Sequence, residues 1–388
     1  MSAPTYVSTV SRSMASIDRK AWNALAIPRP SPFLEWEWLD LLERSGSVRP
    51  ENGWLPLHMT LSREGRLMAA APLYLKSHSE GEFVFDHVFA GAARDMGERY
   101  YPKLVAAAPF TPAEGYEFLL APGLDEELGA RLVAESVRRL ARTADASGVH
   151  VLFAAPWLTG QLTLFGYEAW THQGFIWENT GYETFEDFLC ELRAQRRKTI
   201  RRERAELARS GVSVRIIEGP DIPDRYFSLM YALYEKTNDK FGPYSCKYLT
   251  PAFFEGLGGE LRRRVLLSAA FMPGREDPAA LALLVRKGDL LFGRYWGAAV
   301  DVPFLHFELC YYAPITYAIE RGLRLYDPGM GGEHKARRGF RSRAVVSLHD
   351  IALPGTRTLF HRHIEEINRL EMEYVEEMNA MSPFHRKG

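Results

Sequence analysis

The stretch PGMGGEHKARRGF, Pro328 to Phe340, sets four glycines among Glu333, His334, Lys335, Arg337 and Arg338. Glycine lets backbone N–H groups come close to a bound group. Lys335 and Arg337 beside them could hold a carboxylate or a phosphate. The stretch follows LRLYDPGM, which reads as a strand, and in open α/β sheets ligands sit beyond the carboxyl ends of strands. The same residues would also make a plain charged surface loop. No GxxxxGK[ST] pattern occurs, so this is not a P-loop.

A second stretch is basic. Arg193 to Arg209 holds eight Lys and Arg residues against Glu203 and Glu206, although the chain's 48 Lys+Arg and 49 Asp+Glu nearly cancel. On a helical wheel, Leu189, Leu192, Ile200 and Leu207 share one stripe, which Arg196 interrupts, and Gly211 stops the helix. Arg193–Arg197, Arg197–Arg201 and Lys198–Arg202 are like-charge pairs at i,i+4, each unfavourable by about 0.2–0.5 kcal/mol on an isolated helix. Only Arg202–Glu206 compensates at that spacing. Either acidic residues elsewhere dock this helix, the usual fate of a charge run, or Arg197, Lys198, Arg201 and Arg202 bind the phosphates of a donor.

Two further clusters lie in the first half. KSHSEGEFVFDH, from Lys76 to His87, groups His78, Glu80, Glu82 and Asp86. A histidine among carboxylates could serve as a general base, while the alternation of Phe83 and Phe85 favours a strand with polar neighbours. RYYPKLVAAAPFTP puts Tyr100 and Tyr101 beside Lys103, as groove lining or as core. His78, Glu82 and Lys103 are candidate substrate contacts. So are Tyr295 and Trp296 of LLFGRYWGAA, with Glu333, His334, Arg337 and Arg338.

The elements that must position these residues repeat. In the first half, two amphipathic helices precede a hairpin turning at Ser62–Gly65, a long helix in LDEELGARLVAESVRRLARTADASG and a buried strand in HVLFAAPW. The second half opens with the basic helix. It then gives a strand, two helices, three strands with turns between them, the helix APITYAIERG and the strand LRLYDPGM. FLHFELCYY, ahead of that helix, reads as a strand. Another strand, AVVSLHDIAL, and a helix near 356–380 close the chain. This order suggests two α/β domains with mixed sheets, residues 1–178 and 179–388.

The order LxFELxYYxxIxYAIERGLxxYDPG, then a lysine-bearing loop ending RRGF, resembles the C-terminal domain of the Fem peptidyltransferases. On that resemblance Asp327, Lys335 and Phe340 take the places of the family's strand-end aspartate, lysine and following aromatic. Across nearly the whole chain, SPFLEWEWLDLLERSGSV, PLYLKSHSEGEFVFDHVFA, RYYPKLVAAAPFTPAEG, FIWENTGYETFEDFL, RRKTIRRERAEL and GEHKARRGF are similar to the bacterial FemAB-like family, labelled peptidoglycan biosynthesis/recognition. The resemblance implies two tandem GNAT-like acyltransferase domains. Phe175, Ile176 and Trp177 stand where members often carry Phe-His-Trp, which leaves His172 as the alternative histidine.

That family implies transfer of an activated acyl or aminoacyl group to a small-molecule or peptide amine, with acyl-CoA or aminoacyl-tRNA as donor. Such transfer needs alignment, removal of one proton and stabilisation of an oxyanion. Glu308 and Asp327, at the ends of two expected strands, are the base candidates, with Lys335 completing the catalytic set. The GNAT pyrophosphate loop Q/R-x-x-G-x-G/A is missing, which weakens acetyl-CoA as donor and matches the Fem pattern. Two other readings stay open: a small-molecule N-acyltransferase using acyl-CoA, and a protein that binds cell-wall peptide without catalysis. G-x-S-x-G and GxGxxG signatures are absent. Three scattered cysteines and no HExxH argue against a disulfide framework or a metal. No apolar run reaches the ~18–20 residues of a membrane span, and no signal peptide is legible. A cytoplasmic protein is the expectation.

Overall fold

The computed structural model describes residues 5–240, 242 and 246–385. The chain divides into two compact units, Met1–His172 with Ala344–Met372, and Gln173–Arg343 with Glu373–Gly388. The first contains β1 (Val7–Ser11), α1 (Arg19–Ala26), α2 (Trp36–Arg44), β2 (Trp54–Pro56), β3 (His58–Arg63), β4 (Arg66–Ala71), β5 (Leu73–Lys76), α3 (His87–Asp95), β6 (Lys103–Ala106), β7 (Leu119–Leu120), α4 (Glu126–Thr143), β8 (Gly148–Ala154) and α5 (Pro156–Leu164). β9 (Glu168–Glu178) has residues in both units. The second contains α6 (Phe185–Cys190), α7 (Ala194–Arg209), β10 (Ser213–Glu218), α8 (Arg225–Asp239), α9 (Pro251–Gly256), β11 (Val265–Phe271), β12 (Ala280–Lys287), β13 (Leu290–Ala298), α10 (Leu305–Phe307), α11 (Ala313–Glu320) and β14 (Leu325–Asp327). β15 (Arg341–Ile351) and α12 (Pro354–Ala380) again have residues in both.

In the first unit, β1-β3-β4-β7 form an antiparallel sheet, and the expected hairpin at Ser62–Gly65 is the β3–β4 turn. A second set runs β15-β8-β6-β5-β2, with β6 and β8 parallel and the other pairs antiparallel. α4 starts cleanly because the Asp125 carboxylate accepts from Leu128 N, and it buries Ala130, Val133, Ala134, Val137 and Ala141 at helical spacing. The division into 1–178 and 179–388 differs from these units at the end of the chain. Leu348–Ile351 of β15 pair with Gly148–Val151 of β8, and Phe360 and Ile364 of α12 pack on Phe89, Ala93 and Tyr100. Residues 344–372 are thus drawn back to the first unit by strand pairing and apolar burial.

In the second unit the order is β10-β11-β12-β13-β14-β9, antiparallel except for β13 and β14. A parallel pair needs a crossover. Here it is one helical stretch, 305–320, made of α10, a π turn at Glu308–Tyr312 and α11. FLHFELCYY is therefore helical, not the strand expected. Its Leu309, Tyr311 and Tyr312 are buried along with Ile315, Ala318 and Ile319, a helical rather than alternating pattern. The core of this unit gathers Trp177, Phe188, Leu192, Ile200, Leu291, Tyr326 and Phe340.

Candidate functional site

β13 and β14 pair over Leu290–Leu325, Leu291–Tyr326 and Phe292–Asp327. β14 then stops, while β13 runs on to Ala298. Opposite β12, β13 carries a bulge at Arg294–Tyr295, between the pairs Leu284–Gly293 and Ala282–Trp296. Bulges of this kind re-aim side chains and recur beside active sites.

The glycine-rich loop leaves from Asp327. Its buried carboxylate accepts from Gly329 N at 2.8 Å. Gly329, Gly331 and Gly332 have positive φ, so the chain doubles back on itself. Lys335, only 4% exposed, donates to the carbonyls of Gly329 and Met330, both at 2.9 Å, and to that of Gly331. The sequence suggests Lys335 as a holder of a carboxylate or phosphate; its ammonium is instead the loop's internal pin. Burial lowers its pKa to about 8, with Asp327 acting in the opposite direction. Gly339 closes the loop at φ 91, where a Cβ would lie 2.5 Å from Phe188 Cζ.

Around this pin the helical stretch supplies aromatic and ionisable groups. Tyr311 Oη and His334 Nε2 are 2.9 Å apart. His306 lies with its ring 4.5 Å from Trp296 and 5.9 Å from His334. Burial first, then the positive charges of Arg338 and Lys335, lower the pKa of His334. Burial, aided by His334, Lys335 and Arg338, lowers that of His306 to about 3. Both rings are thus favoured as neutral near pH 7. Buried Arg338 donates to Glu203 Oε1 at 2.8 Å, to Tyr312 Oη at 2.9 Å and to His334 O at 3.1 Å, and lies 3.4 Å from the Phe307 ring centre. The one-residue widening of a π turn places Tyr311 on His334 and adjacent Tyr312 on Glu203.

Glu308 is not at a strand end. It sits in the π turn and forms a two-pronged ion pair with Arg204, at 2.8 and 3.0 Å. Burial raises its pKa, against the pull of Arg204. Held this way, its oxygens face an arginine rather than an open site. The basic helix also turns out to have remote acidic partners: Glu308 for Arg204, and Glu186 for Arg201, while its own Glu203 holds Arg338. Arg197 donates to Cys190 O and Leu192 O. Lys198 and Arg202 are exposed, with no acidic partner among the described residues.

The second unit therefore brings Asp327, His334, Lys335 and Arg338 together, with Trp296 reaching them through His306. Glu333 and Arg337 are exposed on the outside of the loop. Tyr295 instead packs with Tyr234 and Phe254. His306, Phe307, Tyr311, Glu203 and Arg204 escaped sequence reasoning. The aromatic residues lie in a stretch whose sequence reads as a strand, and an Arg–Glu pair 104 positions apart leaves no local signal.

A model of the FemAB-like family, described as peptidoglycan biosynthesis/recognition, matches residues 13–386. The chain belongs to the FemAB-like family. No curated protein matches it in sequence. Among solved structures, FemX aligns with a TM-score of 0.56 at 11% identity, over 89% of this chain and 98% of that one. The C-terminal DUF2156 domain of an Agrobacterium fabrum protein, designated a lysylphosphatidylglycerol synthetase, aligns at 0.55 with 13% identity, over 90% and 95%. L-PGS from Bacillus licheniformis aligns at 0.50 with 12% identity, over 87% and 98%. The fold is that of tandem GNAT-like domains with mixed sheets.

The first unit of this FemAB-like chain holds the other predicted cluster. Lys103, 1% exposed, donates to Glu82 at 2.7 Å, to Ser79 Oγ at 2.8 Å and to Asp86. Tyr100 Oη donates to Asp86 at 2.8 Å. Burial raises the pKa of Glu82 to about 7, with Lys103 opposing. Glu82 and Lys103 thus meet, but as an enclosed ionic knot that ties the loop after β5 to β6. His78 lies outside it, accepting from Glu80 N. Phe83 and Phe85 lie in a loop rather than a strand, and Phe85 is 67% exposed. His172 is hydrogen-bonded to Ser347 Oγ at 2.6 Å, and Ser347 to His349 at 2.8 Å. No group of His, Cys, Asp and Glu among the described residues could hold a metal ion, and no helix there is long and apolar enough to cross a membrane.

Proposed function

We propose that this FemAB-like protein is an aminoacyltransferase. It carries an activated aminoacyl group from an ester donor to the amine of a peptide or small molecule of the cell-wall-precursor type. The observation that carries the reading is the end of the parallel β13–β14 pair, where a lysine-pinned glycine loop lies beside a neutral, tyrosine-bound histidine. Family membership and the names of FemX and lysylphosphatidylglycerol synthetase among its structural neighbours support the same reaction class.

The amine nitrogen attacks the ester carbonyl carbon. The C–N bond forms, the C–O bond breaks, and the amine's proton must reach the departing alkoxide. His334 serves as the carrier: with Nε2–H donating to Tyr311 Oη, Nδ1 takes the proton and returns it to the leaving oxygen. Lys335 and Asp327 act by holding the loop, and the Lys335 charge favours negative charge developing on the carbonyl oxygen. Lys198 and Arg202 are exposed on α7, where they can face a donor. The missing GNAT pyrophosphate motif favours aminoacyl-tRNA over acyl-CoA.

The test is to incubate the full chain with charged tRNA or with acyl-CoA, with and without a precursor-type peptide amine, and to follow donor and product by mass spectrometry. Acceptor-dependent loss of the aminoacyl ester is expected, slowed about 10²–10⁴-fold in His334→Ala. Acceptor-independent hydrolysis alone, or no turnover of either donor, would overturn the proposal.

A further inference from the structure

We infer that the cleft at the N-terminal end of α7 is a phosphate-binding site formed by Arg193, Arg196 and Arg337. It is separate from the helix face carrying Lys198 and Arg202. The three arginines line it with Gln195, and residues 381–383 make its far wall. No carboxylate is among the lining residues.

The wall is fixed in place. Arg193 N donates to Pro383 O at 2.7 Å, and Arg193 Nε to Phe384 O at 3.1 Å. His385 N donates to Glu191 O at 3.1 Å, and Leu192 bridges to Phe384. Phe384 itself packs against the core of this unit. The cleft is therefore built between a helix start and an anchored turn rather than by loose side chains.

Among the described residues no carboxylate pairs with its charge. Arg201, Arg204 and Arg338 each have a carboxylate. The guanidinium groups of Arg196 and Arg337 have no acceptor among the described residues. Three cations around one concavity repel one another, and an anion relieves that repulsion. α7 adds to the field: it runs for 16 residues and no side chain caps its start. Guanidinium forks match phosphate oxygens in pairs, and Gln195 and Ser382 offer neutral donors beside them. Arg337 belongs to the glycine-rich loop, two residues after Lys335, so this cleft and the loop share one short stretch of chain. The ligand chemistry is a phosphate of the donor, either the RNA backbone of a charged tRNA or the phosphates of CoA. The inference rests on the transfer reading for the word donor, but not for the binding itself.

The experiment measures equilibrium binding of the full chain to two probes, a tRNA acceptor-stem hairpin and CoA, across a salt series. Wild type is compared with Arg196→Gln/Arg337→Gln and with a charge-matched control, Arg142→Gln/Arg275→Gln, at exposed positions elsewhere. We expect the cleft variant to weaken binding of one probe by about tenfold or more per arginine, with the control close to wild type. A hairpin defect whose affinity falls steeply with salt, as the release of several counterions from the phosphates demands, identifies RNA. A shallow dependence confined to CoA identifies the nucleotide carrier. Equal affinities of wild type and cleft variant for both probes overturn the site, and so does an equal loss in the control. Arginine-dependent binding without transfer would leave the site standing while removing the enzyme reading. Transfer with unchanged binding would do the reverse.

Discussion

Lys335 donates to three successive backbone carbonyls of its own loop, so its removal does two things. It strips the loop of its pin and takes the donor from the carbonyls of half-buried Gly329 and Met330 and of exposed Gly331, at about 1–3 kcal/mol for a group that cannot regain water. Lys335→Ala is therefore expected to lower stability by about 2 kcal/mol or more in urea unfolding and to slow transfer as well. Unchanged stability with a pure binding defect would mean that the side chain instead faces substrate. The residue types of this loop were legible in the sequence, because four glycines around a basic cluster are uncommon in an ordinary turn. The direction of the lysine was not legible. A lysine in a polar stretch reads as solvated, and only the left-handed backbone at Gly329, Gly331 and Gly332 turns the carbonyls inward to meet it.

Among elements, α7 and the helical stretch 305–320 explain one another. Of the like-charge pairs along α7 only Arg197–Arg201 gains an acid, Glu186 for Arg201, while Arg204, outside those pairs, finds Glu308 104 positions away in sequence. Two changes on this helix separate buried from exposed charge. Glu203→Ala leaves Arg338 in a buried site with its carboxylate gone, and breaking such a pair costs about 3–5 kcal/mol. Arg201→Gln removes an exposed pair with Glu186, with side chains 52% and 55% exposed, and the expected change is below about 1 kcal/mol. Denaturant midpoints measured side by side decide the matter. Equal costs for the two would show that the Glu203–Arg338–Tyr312 network does not hold α7. The strand reading of FLHFELCYY failed for a related reason: aromatic residues favour strands in isolation, but here they serve a helix buried against the sheet and the loop, where tertiary packing overrides propensity.

At the scale of the whole chain, the first unit closes only when residues 344–372 return to it, and a row of histidines, with His150 and His349 buried and His172 half-buried, reports that closure. His150 comes from β8, His172 from β9, and Ser347 and His349 from β15. His150 and His349 meet Nδ1 to Nδ1 at 2.7 Å, 199 positions apart in sequence. No sequence period could reveal such a pair, whereas the strands carrying it were each legible. Burial lowers His150 to about 3, with Lys103 adding to the effect and Asp86 opposing it. Burial also drives His349 far down, with His150, His172 and Lys103 adding. An unfolded histidine takes a proton below about pH 6.5, and the folded ones do not until the pH is far lower. Below pH 6.5 the unfolded state therefore binds more protons, and stability falls with pH. At pH 5 the penalty from His150 is about 2 kcal/mol, and His349 acts in the same direction. Glu82 works the other way. Its folded pKa of about 7 lies above its unfolded value, so stability is gained as pH falls from about 7 toward 4.5 and partly masks the loss. The test is urea unfolding of three proteins between pH 7.5 and 5. Glu82→Gln removes the masking term, so its stability should fall more steeply with acid than wild type. His349→Gln removes one penalty, so its curve should be flatter, whatever its stability at pH 7. Parallel curves for all three proteins would mean that neither group is held in the enclosed state described, and that the returning segment does not seal this unit.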